Sequence, residues 1–245
     1  MIGTHRAIDD RLLPSATEPH ETRVNTVLRP VVFGANDGLV SNLALVMGVA
    51  AAAPDPGYIL LAGIAGLLAG AFSMGVGEYI SVQSQRELLD YQVAFQRKQL
   101  REVPDQERGI LARIYSERGF SEDEVAMFVD AVFDEPDHAV RLLIFEEVGL
   151  DIRSIGSPLG AAAGSFVAFT VGASIPVLPY MLGEGQQAFG ASLIASLAAL
   201  ALLGAGIASL TRRPLPYGAA RQVLLGGIAA AVTYGVGQVI GVGLI

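Results

Sequence analysis

Residues 58–82 read YILLAGIAGLLAGAFSMGVGEYISV, twenty-five residues with one charged side chain, Glu78. As an α-helix rising about 1.5 Å per residue, this stretch is long enough to cross about 30 Å of hydrocarbon. In lipid every backbone amide and carbonyl must be paired within the protein, and a single unbroken segment achieves this only as a helix. The stretch therefore predicts a transmembrane helix. Four more mostly apolar stretches follow the same pattern, near 31–53, 159–182, 188–210 and 222–245. The predicted fold is an all-α polytopic membrane protein with five transmembrane helices. Composition agrees, at 52% hydrophobic residues and a mean hydropathy of +0.49.

Two short turns join neighbouring spans, Pro54-Asp55-Pro56-Gly57 and Gly183-Glu184-Gly185-Gln186-Gln187, and neither holds a Lys or Arg. All 16 basic residues lie in the N-terminal lead-in (1–30), in 83–158 or in the 211–221 loop, which alternate counting puts on one side. The positive-inside rule makes that side cytoplasmic, so the N-terminus is expected inside and the C-terminus outside. Tyr58 and Tyr180 at the outer span ends, with Tyr79 and Tyr217 at the inner ends, fit an aromatic belt. The lead-in has no apolar core of the signal-peptide kind.

Residues 84–151 change character, holding 16 of the 24 acids and 8 of the 16 bases, so their net charge of −8 equals that of the whole chain. We expect an acidic helical cytoplasmic domain here, inserted between the second and third spans. The chain then divides into 1–30, 31–83 (transmembrane helices 1 and 2), 84–151 and 152–245 (transmembrane helices 3 to 5). Apolar residues recur at helical spacing through Leu111, Ile114 and Tyr115, through Val125, Phe128, Val129 and Val132, and through Leu142, Leu143, Phe145 and Val148. Breaks at Pro104, Gly119 and Pro136 give about four helices, the first continuing the second span. Ser121-Glu122-Asp123-Glu124 reads as a capping box.

Two acids fall inside spans, Asp37 and Glu78. A carboxylate at membrane depth is costly unless it faces a cavity or a partner, so function is the default reading. By distance from the span ends, Asp37 and Glu78 are expected at comparable depth. Met74 shares a helix face with Glu78 one turn away. Asn36, Ser41 and Asn42 add oxygen donors. This mixed set of carboxylate, thioether and amide or hydroxyl oxygen suits Fe²⁺, with Mn²⁺, Co²⁺ and Zn²⁺ also fitting, better than Mg²⁺ or Ca²⁺. Carboxylates release protons as they take up metal, which suits metal/proton exchange. No cysteine occurs, which excludes thiolate sites. Small-xxx-small pairs at Gly34/Gly38, Gly66/Gly70, Gly156/Gly160/Gly164 and Gly237/Gly241 are candidates for close helix packing, within the chain or between copies.

The stretches Val32-Phe33-Gly34-Ala35-Asn36-Asp37-Gly38-Leu39-Val40-Ser41-Asn42 and Ala69-Gly70-Ala71-Phe72-Ser73-Met74-Gly75-Val76-Gly77-Glu78-Tyr79-Ile80-Ser81-Val82 resemble the first two helices of the vacuolar iron transporter family. The likeness extends from about residue 28 to the C-terminus, through Ser157-Pro158 and the Phe169, Gly172, Pro176, Pro179 pattern. It implies a proton-coupled homodimer that moves Fe²⁺, sometimes Mn²⁺, out of the cytosol, with a cytoplasmic metal-binding domain after the second helix. It also implies that Asp37 and Met74 are path ligands, with Glu78 in the same motif. In the domain, Glu107 and Glu147 fall at matching positions, and Glu102 and Glu146, with Asp105 and Glu117, are further acids in reach. Gln96, Gln99, Ile110 and the pair Leu143-Ile144 stand where the family pattern has acids and methionines, so a reduced cluster is expected.

Other classes are weaker. Glu135-Pro136-Asp137-His138 contains one Glu-x-x-His, whereas a di-iron bundle needs two with further glutamates. His5 and His20 are isolated. Nucleophile motifs and phosphate loops are missing from the sequence, so no enzyme and no permanently bound cofactor are expected, and no clustered basic surface suggests nucleic acid. The alternatives that stay open are a membrane-anchored metal-binding or ferroxidase-like module, and a family member whose cytoplasmic site has degenerated. The Arg bias (Lys98 is the only lysine) and the wealth of Ala and Gly suggest a bacterial source, hence a bacterial plasma membrane.

Overall fold

The computed structural model describes residues 19–53, 55–149, 156–183 and 185–243. Most of the lead-in, with His5, and Pro54 and Glu184 of the two turns, lie outside the described residues. The elements are all helices: α1 Pro19–Ala52, α2 Pro56–Glu102, α3 Pro104–Glu117, α4 Glu122–Phe133, α5 Pro136–Val148, α6 Pro158–Leu182, α7 Gly185–Leu210 and α8 Leu215–Gly243. Among the described residues five are long and apolar enough to cross a membrane: Leu28–Ala52 of α1, α2, α6, α7 and Leu215–Val242 of α8. Two compact units emerge, Val27–Tyr79 with Pro158–Ile245, and Met1–Thr26 with Ile80–Ser157.

Helix ends follow local chemistry. Asp55 accepts the backbone amides of Gly57 (2.7 Å) and Tyr58 (3.4 Å) and so caps α2. From there α2 runs unbroken for 47 residues. The helix α8 starts seven residues earlier than the sequence suggested. Pro214 and Pro216 sit at its opening, where a missing amide costs nothing, so the two prolines that signalled a loop begin a helix instead. Arg221 thereby moves from a predicted loop into a helix.

In the unit built from the spans, α1 is the hub. Gly34 and Gly38 press against the α6 backbone, where a Cβ on Gly34 would stand 2.8 Å from the Ser165 carbonyl and one on Gly38 would run into that of Phe169. Gly172 returns the contact against Ala35. On another side of α1, Gly237 and Gly241 of α8 meet the carbonyls of Gly48 and Ala52. Gly66 and Gly70 face the side chains of Asn42, Leu45 and Phe169. These three glycine pairs are used at crossings within the chain, the first of the two roles the spacing allowed. A crossing without a signalled pair joins α7 and α8, where Gly204 and Gly218 abut each other's carbonyls. The core is Leu39, Leu43, Val46, Met47, Ile59, Val177, Leu200 and their neighbours. Tyr180, expected in the aromatic belt, is 6% exposed and belongs to this core, while Tyr58 and Tyr217 are exposed.

In the acidic unit, α3, α4 and α5 close around Leu111, Tyr115, Val125, Phe128, Val129, Val132, Leu142 and Leu143. The face of α5 carrying Val140 and Ile144 packs on Leu89 of α2. That choice turns Phe145 and Val148, expected in the core, outward. Glu124 accepts both the amide (2.9 Å) and the hydroxyl (2.7 Å) of Ser121, fixing the start of α4. These bonds hold its carboxyl below the usual range.

Candidate metal path and acidic site

Contacts between α1 and α2 fix their register. Asn42 Nδ2 donates to the Gly63 carbonyl at 3.2 Å, and a Cβ on Gly63 would lie 3.3 Å from Val46. One on Gly66 would lie 2.8 Å from Asn42 Oδ1. The helices are antiparallel, and continuing these pairs sets Asp37 level with about residue 71 of α2. Met74 then lies about 4 Å, and Glu78 about 10 Å, nearer the Tyr79 end of the span. The expectation of comparable depth is therefore corrected: Glu78, Met74 and Asp37 form a staircase. Contact pairs had to be known before span lengths could be aligned.

Each step is half-buried. Met74 packs beside Ala71, Phe169 and Phe166. Asn36 Oδ1 accepts a 2.7 Å hydrogen bond from Gln222 Nε2 of α8. Gln222, 9% exposed, was absent from the sequence-based set, although a glutamine opening an apolar stretch was the available signal. The Ser41 hydroxyl donates back to the Asp37 carbonyl at 2.5 Å, within its own helix. Asn42 Nδ2 also donates to the Ala173 carbonyl of α6 at 2.7 Å. Its amide nitrogen thus clamps three helices, and its Oδ1 is buried without a partner. As a donor set these groups offer two carboxylates, a thioether and amide oxygen at three depths.

The acidic unit gathers its glutamates unequally. Glu107 is 3% exposed and accepts a 2.5 Å bond from Gln96 Nε2, itself buried. Burial first, then the charge of Glu147, push the Glu107 carboxyl above its usual range, and the Gln96 bond pulls it partly back. Glu146 is different. Both its oxygens are engaged by Arg118, and one also accepts the Tyr115 hydroxyl at 3.1 Å. Burial, followed by Glu146, pushes the Tyr115 phenol up to about 12. The Glu146 carboxylate is thus an ion-pair anchor between α3 and α5, which corrects its reading as a free ligand. Glu102 is exposed beside Lys98 at 3.9 Å, a weak surface pair. Leu143 and Ile144 are 0% and 1% exposed, so the positions expected to resemble a methionine pair are core. No group of three or more His, Asp or Glu poised to hold a metal occurs among the described residues.

Five membrane-length helices with carboxylates and a thioether at stepped depths define a polytopic helical membrane protein with polar groups within its spans. The chain belongs to the VIT family, whose profile matches residues 28–238. It is 29% identical to vacuolar iron transporter 2 of Oryza sativa subsp. japonica, over 94% of this chain and 93% of that protein. It is 29% identical to vacuolar iron transporter 1 of Arabidopsis thaliana, over 94% and 92%. With the vacuolar iron transporter of Acanthamoeba castellanii it shares 35% identity over 97% of this chain and 85% of the relative. These relatives are transporters, not enzymes. None of the three is bacterial, so the bacterial source rests on composition alone.

Proposed function

We propose that the protein carries Fe²⁺ out of the cytosol, with Mn²⁺, Co²⁺ or Zn²⁺ also accepted, in exchange for protons. The observation that supports this most is the staircase of Glu78, Met74 and Asp37. A divalent ion entering at Glu78 meets a thioether next, then a second carboxylate about 10 Å further in, so its charge is accompanied along this part of the crossing. Asn36, held by Gln222, and the unpaired Asn42 Oδ1 supply neutral oxygens along the way. Metal binding requires ionised carboxylates, and each release returns a site that protons can occupy, which is the chemistry of exchange. The printed names of the relatives give iron as the ion of those proteins.

On this reading the N-terminus and residues 84–151 face the cytoplasm, the C-terminus lies outside, the membrane is a bacterial plasma membrane, and two copies work together. Arginines at one end of the span unit, with no Lys or Arg in the two turns at the other, support the orientation. In residues 84–151, Glu107 and Glu147 are the proposed metal contacts, with Glu102 a further acid of the same region. The test is Fe²⁺ or Mn²⁺ uptake into liposomes carrying the full chain, with internal pH recorded. Uptake with linked proton movement, lost in Asp37→Ala, is the expected result; flux equal to empty liposomes would overturn the proposal.

A further inference from the structure

All four basic residues of the span unit, Arg29, Arg212, Arg213 and Arg221, belong to one end of it. The helices α1 and α8 run parallel, with Asn36 against Gln222, Gly48 against Gly237 and Ala52 against Gly241. Continuing that register sets Arg29 level with about residue 215, the start of α8, next to the Thr211–Pro214 turn. Arg221 lies six residues into α8, about 9 Å along its axis. All four side chains are exposed, and none forms an ion pair among the described residues.

The setting of Arg221 is the informative one. Its neighbours on the outer face of α8 are Tyr217, Leu224, Leu225 and Ile228, each more than half exposed, while the opposite face packs through Gly218, Gln222 and Gly226. The guanidinium sits 5.9 Å from the Tyr217 ring centroid, one turn nearer the helix start. An arginine on the apolar outer face of a span must reach along the helix to a polar partner at the interface. The span unit has no described acid at this end on α7 or α8 to answer it. Leu210 and Leu215, exposed on either side of the turn, mark where the hydrocarbon boundary would fall, two residues from Arg212 and Arg213 respectively.

We propose that Arg221, with Arg212 and Arg213, forms a binding site for the phosphate of an anionic phospholipid at the α7–α8 end of the protein. The guanidinium fork suits a phosphodiester, and the outer face of α8 suits its acyl chains. The test is native mass spectrometry of the full-length protein in detergent, titrated with phosphatidylglycerol or phosphatidylcholine. The wild type is expected to retain phosphatidylglycerol preferentially. Arg221→Gln and the double variant Arg212→Gln/Arg213→Gln should each lower that preference, by about fivefold per arginine removed. Equal retention of both lipids by the wild type overturns the proposal without recourse to any variant. Unchanged preference in a folded Arg221→Gln protein overturns it too, and a shift in oligomeric state with lipid retention unchanged reassigns the face to a protein contact. A parallel titration with millimolar inorganic phosphate separates the sources: failure to displace the lipid supports a headgroup site, and full displacement overturns it in favour of a free-phosphate site.

Discussion

Asn42 on α1 donates its side-chain amide to the Ala173 carbonyl of α6 at 2.7 Å and to the Gly63 carbonyl of α2 at 3.2 Å. One neutral side chain thus ties together three helices that cannot rely on the hydrophobic effect to hold them in lipid. Asn42→Asp keeps an oxygen and offers at most one O–H donor in place of the two amide hydrogens, whereas Asn42→Ala loses oxygen and donors alike. If the clamp dominates, both variants lose about 1–3 kcal/mol of stability, read from denaturation of the purified protein in detergent. Retention of wild-type stability by Asn42→Asp would show that the paired donation to Gly63 and Ala173 is not what holds the three helices.

Gly172 and Gly77 make a paired prediction. A Cβ on Gly172 would collide with the Ala35 carbonyl and stand 3.1 Å from the Leu39 amide, both rigid backbone of the hub helix. At Gly77 it would meet nothing within 4 Å. Gly172→Ala should cost about 1–3 kcal/mol or fail to fold, while Gly77→Ala should be neutral or gain up to about 1 kcal/mol. Thermal melting of the two variants side by side checks it, and equal melting temperatures would count against the close α1–α6 crossing.

These contrasts show why the sequence disclosed the helices sooner than their partners. Apolar length alone predicted five spans, and the run from Tyr79 to Leu100 without a breaker predicted the long α2. The small-xxx-small spacing disclosed that Gly34, Gly38, Gly237 and Gly241 sit at crossings, but it could not say whether the facing helix came from the same chain. Gly204 and Gly218 were not singled out because their i+4 positions hold Ala208 and Gln222 rather than a second glycine. The depth error for Glu78 has the same origin, since span length says nothing of register. In the acidic unit, helical spacing found the core of α4 completely. It missed the outward turn of Phe145 because α5 has apolar residues on two faces and only packing against Leu89 of α2 chooses between them.

Glu107 should make stability depend on pH. Its folded-state carboxyl is held above the usual 4.5 by burial and by Glu147, so the folded protein binds that proton more tightly than the unfolded chain. The resulting contribution is fully present below the ordinary glutamate value and is lost as pH rises through the raised one. In metal-free buffer, Glu107→Gln should therefore match or trail the wild type near pH 4 and surpass it at pH 7. Melting curves across that range would reveal it; parallel curves for the two proteins would contradict the burial of an ionisable Glu107.

The stagger of the path predicts different kinetic signatures for its two carboxylates. Glu78 is the step nearest the entrance, so Glu78→Gln weakens capture of the incoming ion and should raise the half-saturating Fe²⁺ concentration about tenfold, the consequence of roughly 1.4 kcal/mol of lost attraction, with the limiting rate largely kept. Asp37 lies about 10 Å further in, where an ion that has left Glu78 has no other described carboxylate at its level. Asp37→Asn should therefore depress the limiting rate itself by tenfold or more, about 1.4 kcal/mol on the barrier, while capture at Glu78 persists. Met74→Leu keeps the volume beside Phe169 and removes the sulfur, so it should reduce Fe²⁺ flux more than Mn²⁺ flux. Initial-rate liposome uptake over a concentration series separates these effects, and identical changes in both parameters for Glu78→Gln and Asp37→Asn would mean that the two carboxylates act at one site.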